Sequence, residues 1–154
     1  MSEVRTAESL DEPAITPQVA IDFITSSLLD LFTRVDRETR VTLARLVSLL
    51  EEEELDDYGV LRPTLFAFIT ALELIASASL QMATALPRAT PCTDDQGGLR
   101  FEWSRPARQV VLVVPPHPGG RMYLYHAQGD EHGLEDQVSA STLAHWLRRL
   151  AGDA

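Results

Sequence analysis

A chain of 154 residues has room for one folded domain and a tail, not for several domains. A net charge of −10, with all 13 basic residues Arg, argues against a general nucleic-acid binder and against double-stranded nucleic acid as partner, because phosphate contacts need clustered cations. The single Cys92 excludes an intramolecular disulfide framework, and a hydrophobic content of 45% is that of an ordinary globular chain.

Residues 1–15 are acidic and short of large apolar side chains, the pattern of a disordered tail. Met1–Glu12 has no apolar core and so does not resemble a signal peptide, which leads to the expectation of a cytoplasmic protein. Thr16 and Pro17 form a helix start, a hydroxyl cap followed by proline at the first helical position. Ala20, Ile21, Ile24, Leu28, Leu31, Phe32 and Val35 then fall on one stripe, which predicts a first helix to about Val35. Asp36 can cap a second helix, with Leu43, Leu46, Val47 and Leu50 facing inward and Arg37, Arg40 and Arg45 facing out. So short a connection makes the two helices antiparallel neighbours.

Glu51, Glu52, Glu53, Glu54, Asp56 and Asp57 form an acidic run that opposes the helix dipole and ends the second helix. Such a run is usually a solvated face; it is also a candidate contact for a basic partner surface. Arg62-Pro63 opens a third helix, predicted to run to Leu86, where Pro87 stops it. Only Glu73 is charged between Leu65 and Leu86, which raises the question of a membrane span. Its Thr and Ser content and the lack of basic flanks favour a buried central helix and no membrane, with any excess apolar surface left for an oligomer contact. The 16–87 region is therefore expected to be helical, and 88–98, rich in Pro, Thr, Asp and Gly, to be a linker.

The 99–154 region carries the β-signal. Leu99, Phe101 and Trp103 alternate with Arg100, Glu102 and Ser104, the period of a half-buried strand. Val110–Val114 is an unbroken apolar run and is predicted as the central strand, buried on both faces. Arg121–His126 alternates again, with Met122 and Leu124 on one face and Tyr123 and Tyr125 on the other. A polar loop over 129–137 leads to a last helix, Ala140–Leu150, expected to pack on the Leu99/Phe101/Trp103 face. The fold class predicted is α+β: three N-terminal helices, a three-stranded antiparallel meander and a C-terminal helix, packed as one domain.

Gly97-Gly98-Leu99-Arg100-Phe101-Glu102-Trp103, followed by a hairpin and a closing helix with Trp146-Leu147, resembles a module of small uncharacterised bacterial proteins. The resemblance covers about the last 60 residues and implies a fold; its motif residues are structural types and bring no activity.

No catalytic constellation stands out. Arg121 and His126 have the spacing of the Arg…His pair of HEPN-type ribonucleases, but that pair stands on a helix, and on a strand the two side chains face opposite ways. His126, Asp130, Glu131, His132, Glu135 and Asp136 make a His- and acid-rich stretch without a recognised ligand spacing; it supports one alternative, a small metal-dependent hydrolase or nuclease. Cys92 has no neighbouring base, and His145 is expected at the surface. Tyr123 and Tyr125, with Arg100 and Arg108 nearby, support a second alternative, a single-stranded nucleic-acid binder through the sheet face. The competing expectation is that the tyrosines pack under the long helix. The leading expectation is a non-enzymatic bacterial interaction protein, an accessory, regulatory or inhibitor subunit, with the acidic run, Tyr123 and Tyr125 as contacts and no metal or cofactor.

Overall fold

The computed structural model describes residues 33–51, 55–56, 59–60 and 62–152, together with Asp22, Ser26 and Asp30. Backbone contacts divide the chain into Met1–Thr33 and Arg34–Ala154. In the first unit Asp22, Ser26, Asp30 and Thr33 are helical, and the Thr33 hydroxyl donates to the Asp30 carbonyl at 2.7 Å. The rest of the helix predicted there, and the predicted tail, lie outside the described residues.

The second unit is α+β. Helix α1 (Arg37–Ser48) runs into a short 3-10 turn (Leu49–Glu51). Strands β1 (Leu55–Asp56) and β2 (Gly59–Val60) pair as a small hairpin, and helix α2 (Leu65–Gln81) follows. Five antiparallel strands come next: β3 (Thr90–Thr93), β4 (Leu99–Arg105), β5 (Arg108–Val114), β6 (Tyr123–Gln128) and β7 (Glu131–Glu135). They lie side by side in chain order, and helix α3 (Ala140–Ala151) closes the chain.

The meander predicted with three strands therefore has five. The linker contains β3 and the polar loop contains β7, each paired along its length with its neighbour. Neither has an apolar alternation to announce it; backbone hydrogen bonding to an already formed strand is what makes them strands. Two-residue turns set the register. Pro106-Ala107 joins β4 to β5, with Ala107 at φ 61°, and Gly129-Asp130 joins β6 to β7.

The pairing puts Leu99, Phe101 and Trp103 on one face with Val110, Leu112, Val114 and Leu124. All seven are buried, Trp103 completely. Both α2 and α3 contact β4 and β5 and each other, so the two helices share this face; the expected packing of the closing helix holds, and α2 joins it. The Trp103 indole N–H donates to the Pro87 carbonyl at 2.9 Å, which satisfies the one polar atom of the largest core side chain.

Helix α2 ends at Gln81, not at Leu86. Met82 turns extended (φ −90°, ψ 136°), and the chain then carries buried Leu86, Pro87 and Ala89 into the core as irregular backbone. Those residues serve the packing better there: Ala89 N–H donates to the Thr42 hydroxyl of α1, and Pro87 serves Trp103. Eight residues of α2 are buried, while Leu65 and Leu80 are exposed. Among the described residues no helix is long and apolar enough to cross a membrane.

Asp36 ties α1 to α2. Its carboxylate accepts the Thr39 N–H at 2.9 Å and the Thr39 hydroxyl at 2.8 Å, and it accepts the Ser79 hydroxyl from α2 at 3.1 Å. Partial burial pushes the carboxyl up, but the hydrogen bonds from Thr39, Ser79 and the Leu86 backbone outweigh it and hold the group below its ordinary 3.8.

Candidate functional site

Helices α2 and α3 pack on the Leu99/Phe101/Trp103 face, and the opposite face of the sheet presents three rows of side chains. Register places Arg100, Val113 and Tyr123 in one row, with Cys92 at its β3 end. The next row is Thr90, Glu102, Val111, Tyr125 and Leu134. Ser104, Gln109, Ala127 and His132 make the third. The row Val111–Tyr125–Leu134 is an apolar stripe across three strands. Val111 is 4% exposed, Tyr125 is half-buried, and Leu134 is 52% exposed. An open-face leucine in that position covers no core. The expectation that the central strand is buried on both faces, with helices supplying at least one cover, is met by Val111 on this side, while Val113 remains half-buried.

The tyrosines do not pack under the long helix; both stand on the face opposite the one that α2 and α3 cover. Tyr123 lies under the Arg121 guanidinium, 5.2 Å from the ring centroid, and Tyr125 sits 6.4 Å from the His132 ring. The cations here are paired: Arg121 with Asp136 at 2.7 Å and Arg100 with Glu102 at 3.8 Å. Arg108 is on the other face, where it donates to the Arg149 and Leu150 carbonyls at the end of α3. Among the described residues a phosphate backbone would find the arginines beside the tyrosines, Arg100 and Arg121, already paired with carboxylates.

The edges of the sheet resist strand addition. β3 presents Pro91, which has no N–H to donate. β7 has Gly133 at its centre, so a second β7 aligned antiparallel about that point would set Glu131 against Glu135. A partner is therefore better received on the face than on an edge.

The other predicted contacts are divided. Glu51 is exposed in the 3-10 turn; Asp56 belongs to the backbone of β1; Glu52, Glu53, Glu54 and Asp57 lie outside the described residues. Cys92 is exposed on β3, and His145 is exposed on α3.

His126 and His132 project from opposite faces, since His126 pairs with Gly133 and His132 with Ala127. They cannot share a metal with each other, and among the described residues no group of three or more His, Cys, Asp and Glu is placed to hold one. Arg121 precedes β6, lying over the Tyr123 ring and paired with Asp136, while His126 lies on the opposite face of that strand from Tyr123.

His126 lies on the helix-covered face, stacked on Trp146 of α3 with ring centroids 3.4 Å apart and planes 10° from parallel. Gly133 makes room for it: a Cβ there would stand 2.8 Å from His126 Cε1. Burial pushes the imidazole below its ordinary 6.5; the Glu135 carboxylate at 3.7 Å pulls it up, while Arg149 and His145 push it down, and the net result is downward. The neutral ring is thus favoured at neutral pH.

Beside this stack, between the end of α3 and the β6–β7 hairpin, opens a cleft of about 470 Å³. Arg108, His126, Asp130, Glu131, Trp146 and Arg149 are among its walls. The sequence places His126, Asp130 and Glu131 in one stretch but gives no sign that Arg108, Trp146 and Arg149 join them. Only the sheet register brings Arg108 of β5 and Glu131 of β7 into one row.

No family model, curated protein or solved structure matches this chain.

Proposed function

We propose that this is a non-enzymatic interaction protein, an accessory, regulatory or inhibitor subunit, that receives another protein on the face of its sheet opposite α2 and α3. The observation that carries the reading is the stripe Val111–Tyr125–Leu134, which runs from a buried valine through a half-buried tyrosine to a leucine 52% exposed, on the face opposite the Leu99/Phe101/Trp103 core. Tyrosine at the centre of such a patch, ringed by the ion pairs Arg100–Glu102 and Arg121–Asp136, has the make-up of an interface core with a polar rim. The acidic residues from Glu51 to Asp57 add a charge that suits a partner with a basic surface.

The test is a photo-crosslinking amino acid placed at Leu134, with a second variant carrying it at His145 on α3. In cells that naturally make the protein, position 134 is expected to yield one discrete cross-linked species that position 145 does not. Equal cross-linking from the two positions, or none from 134, overturns the assignment.

A further inference from the structure

We propose that the cleft at the end of α3 binds a zwitterionic α-amino acid with an apolar side chain. The inference does not rest on the docking stripe: the cleft takes Gln109, Ala127 and His132 from the last row of that face but none of Val111, Tyr125 and Leu134.

Two arginines, two acids and the imidazoles of His126 and His132 line this cleft, and no ion pair among the described residues joins the arginines to the acids. Arg108 and Glu131 occupy the same row of the sheet but are held apart by Gln128 on β6. Two strand spacings separate their backbones, ~9.5 Å. Arg108 is further anchored to the α3 carbonyls of Arg149 and Leu150 at 3.1 and 3.4 Å, which fixes it on its own side. Arg149 is held over the Trp146 ring, 5.3 Å from its centroid, and Trp146 is itself pinned against His126. Asp130 and Glu131 stand at the start of β7, in and just after a two-residue turn whose backbone is set by Gly129 at φ 59°.

The result is a positive wall and a negative wall that the fold keeps from neutralising each other. Between them lie Trp146, Val110 and Leu150, an apolar floor. A carboxylate facing Arg149 and an ammonium facing Asp130 and Glu131 would satisfy both walls at once, and an apolar side chain would cover the floor. A ligand with only one of the charges would leave the other wall to water. The volume of about 470 Å³ admits a molecule of that size.

L-phenylalanine is the probe, followed by the indole N–H signals of the two tryptophans in a two-dimensional NMR titration. Trp146 lines the cleft, whereas Trp103 is buried and donates to Pro87, so it serves as the internal reference. L-phenylalanine is expected to shift Trp146 saturably and leave Trp103 still. N-acetyl-phenylalanine, without the ammonium, and phenylalaninamide, without the carboxylate, are each expected to bind about tenfold more weakly, the loss of one charged contact. Arg149→Gln should erase the difference between phenylalanine and its amide, and Glu131→Gln should reduce the difference between phenylalanine and its acetyl derivative. These two substitutions are read separately, so a change in the Trp146 stack caused by the first does not decide the second. Equal shifts from all three compounds, or no shift of Trp146 with phenylalanine, overturn the proposal.

Discussion

The two faces of the five-stranded sheet are built from alternate residues of the same strands, yet they are different surfaces. On the helix-covered face Leu99, Phe101, Trp103, Leu112, Val114 and Leu124 are fully buried under α2 and α3. On the other, Arg100, Glu102, His132 and Leu134 are exposed, and Tyr123 and Tyr125 are half-covered. One face holds the chain together, and its large apolar side chains are occupied in doing so. The other face has apolar groups whose burial nothing in the described fold requires, and these are the groups available to a partner.

The sharpest way to break this contrast is Trp103→Ala. It empties the largest buried site and strands the Pro87 carbonyl, so a loss of about 3–5 kcal/mol is expected in chemical denaturation. A much smaller loss would mean that the covered face is not the core.

Gly133→Ala comes next. The new Cβ would meet His126 at 2.8 Å from Cε1, and His126 cannot retreat because Trp146 is stacked on it. A loss of about 1–3 kcal/mol is expected by thermal unfolding, relieved when His126 is also made smaller. Absence of that relief would place the strain elsewhere.

The same histidine gives a pH signature. Its folded value lies below the ordinary 6.5, so the unfolded chain takes up the proton more readily. Its contribution is present above 6.5 and is lost as pH falls from there through the folded value. His126→Phe, which keeps a ring against Trp146, should show a flatter fall of the unfolding temperature over that window than the native protein. The groups that face the imidazole, Glu135, Arg149 and His145, are unchanged in that comparison. A steeper fall would reverse the sign.

The smallest effect on stability is expected from Leu134→Ser on the face opposite α2 and α3, within about 0.5 kcal/mol, because its side chain is already 52% in solvent. A large destabilisation would show that this leucine belongs to the core after all.

Sequence alone disclosed the covered face better than the open one. Leu99/Phe101/Trp103 and Val110–Val114 announce themselves because burial demands a hydrophobic period of two or an unbroken run. β3 and β7 do not, since TPCT and EHGLE become strands through backbone pairing with neighbours already in place. The end of α2 was hidden for another reason: Leu86 is apolar enough to continue a helix, but it is buried outside one, in irregular backbone. That Tyr123 and Tyr125 share a face opposite to Leu124 was legible from alternation. That α2 and α3 take the other face was not, because which face they select depends on long-range packing. The cleft was least legible, since Arg108, Glu131 and Arg149 meet only across β5, β7 and α3.

The division of labour between the faces is tested most directly by partner retention on purified, folded variants. Tyr125→Ser with Leu134→Ser removes the centre of the open stripe; Leu80→Ser removes a leucine of similar exposure, 54%, from α2. With folding checked by circular dichroism, the double variant is expected to lose a partner that the native protein and Leu80→Ser both retain in stoichiometric amount. Retention by the double variant, or loss by Leu80→Ser alone, would contradict the assignment of the face opposite α2 and α3.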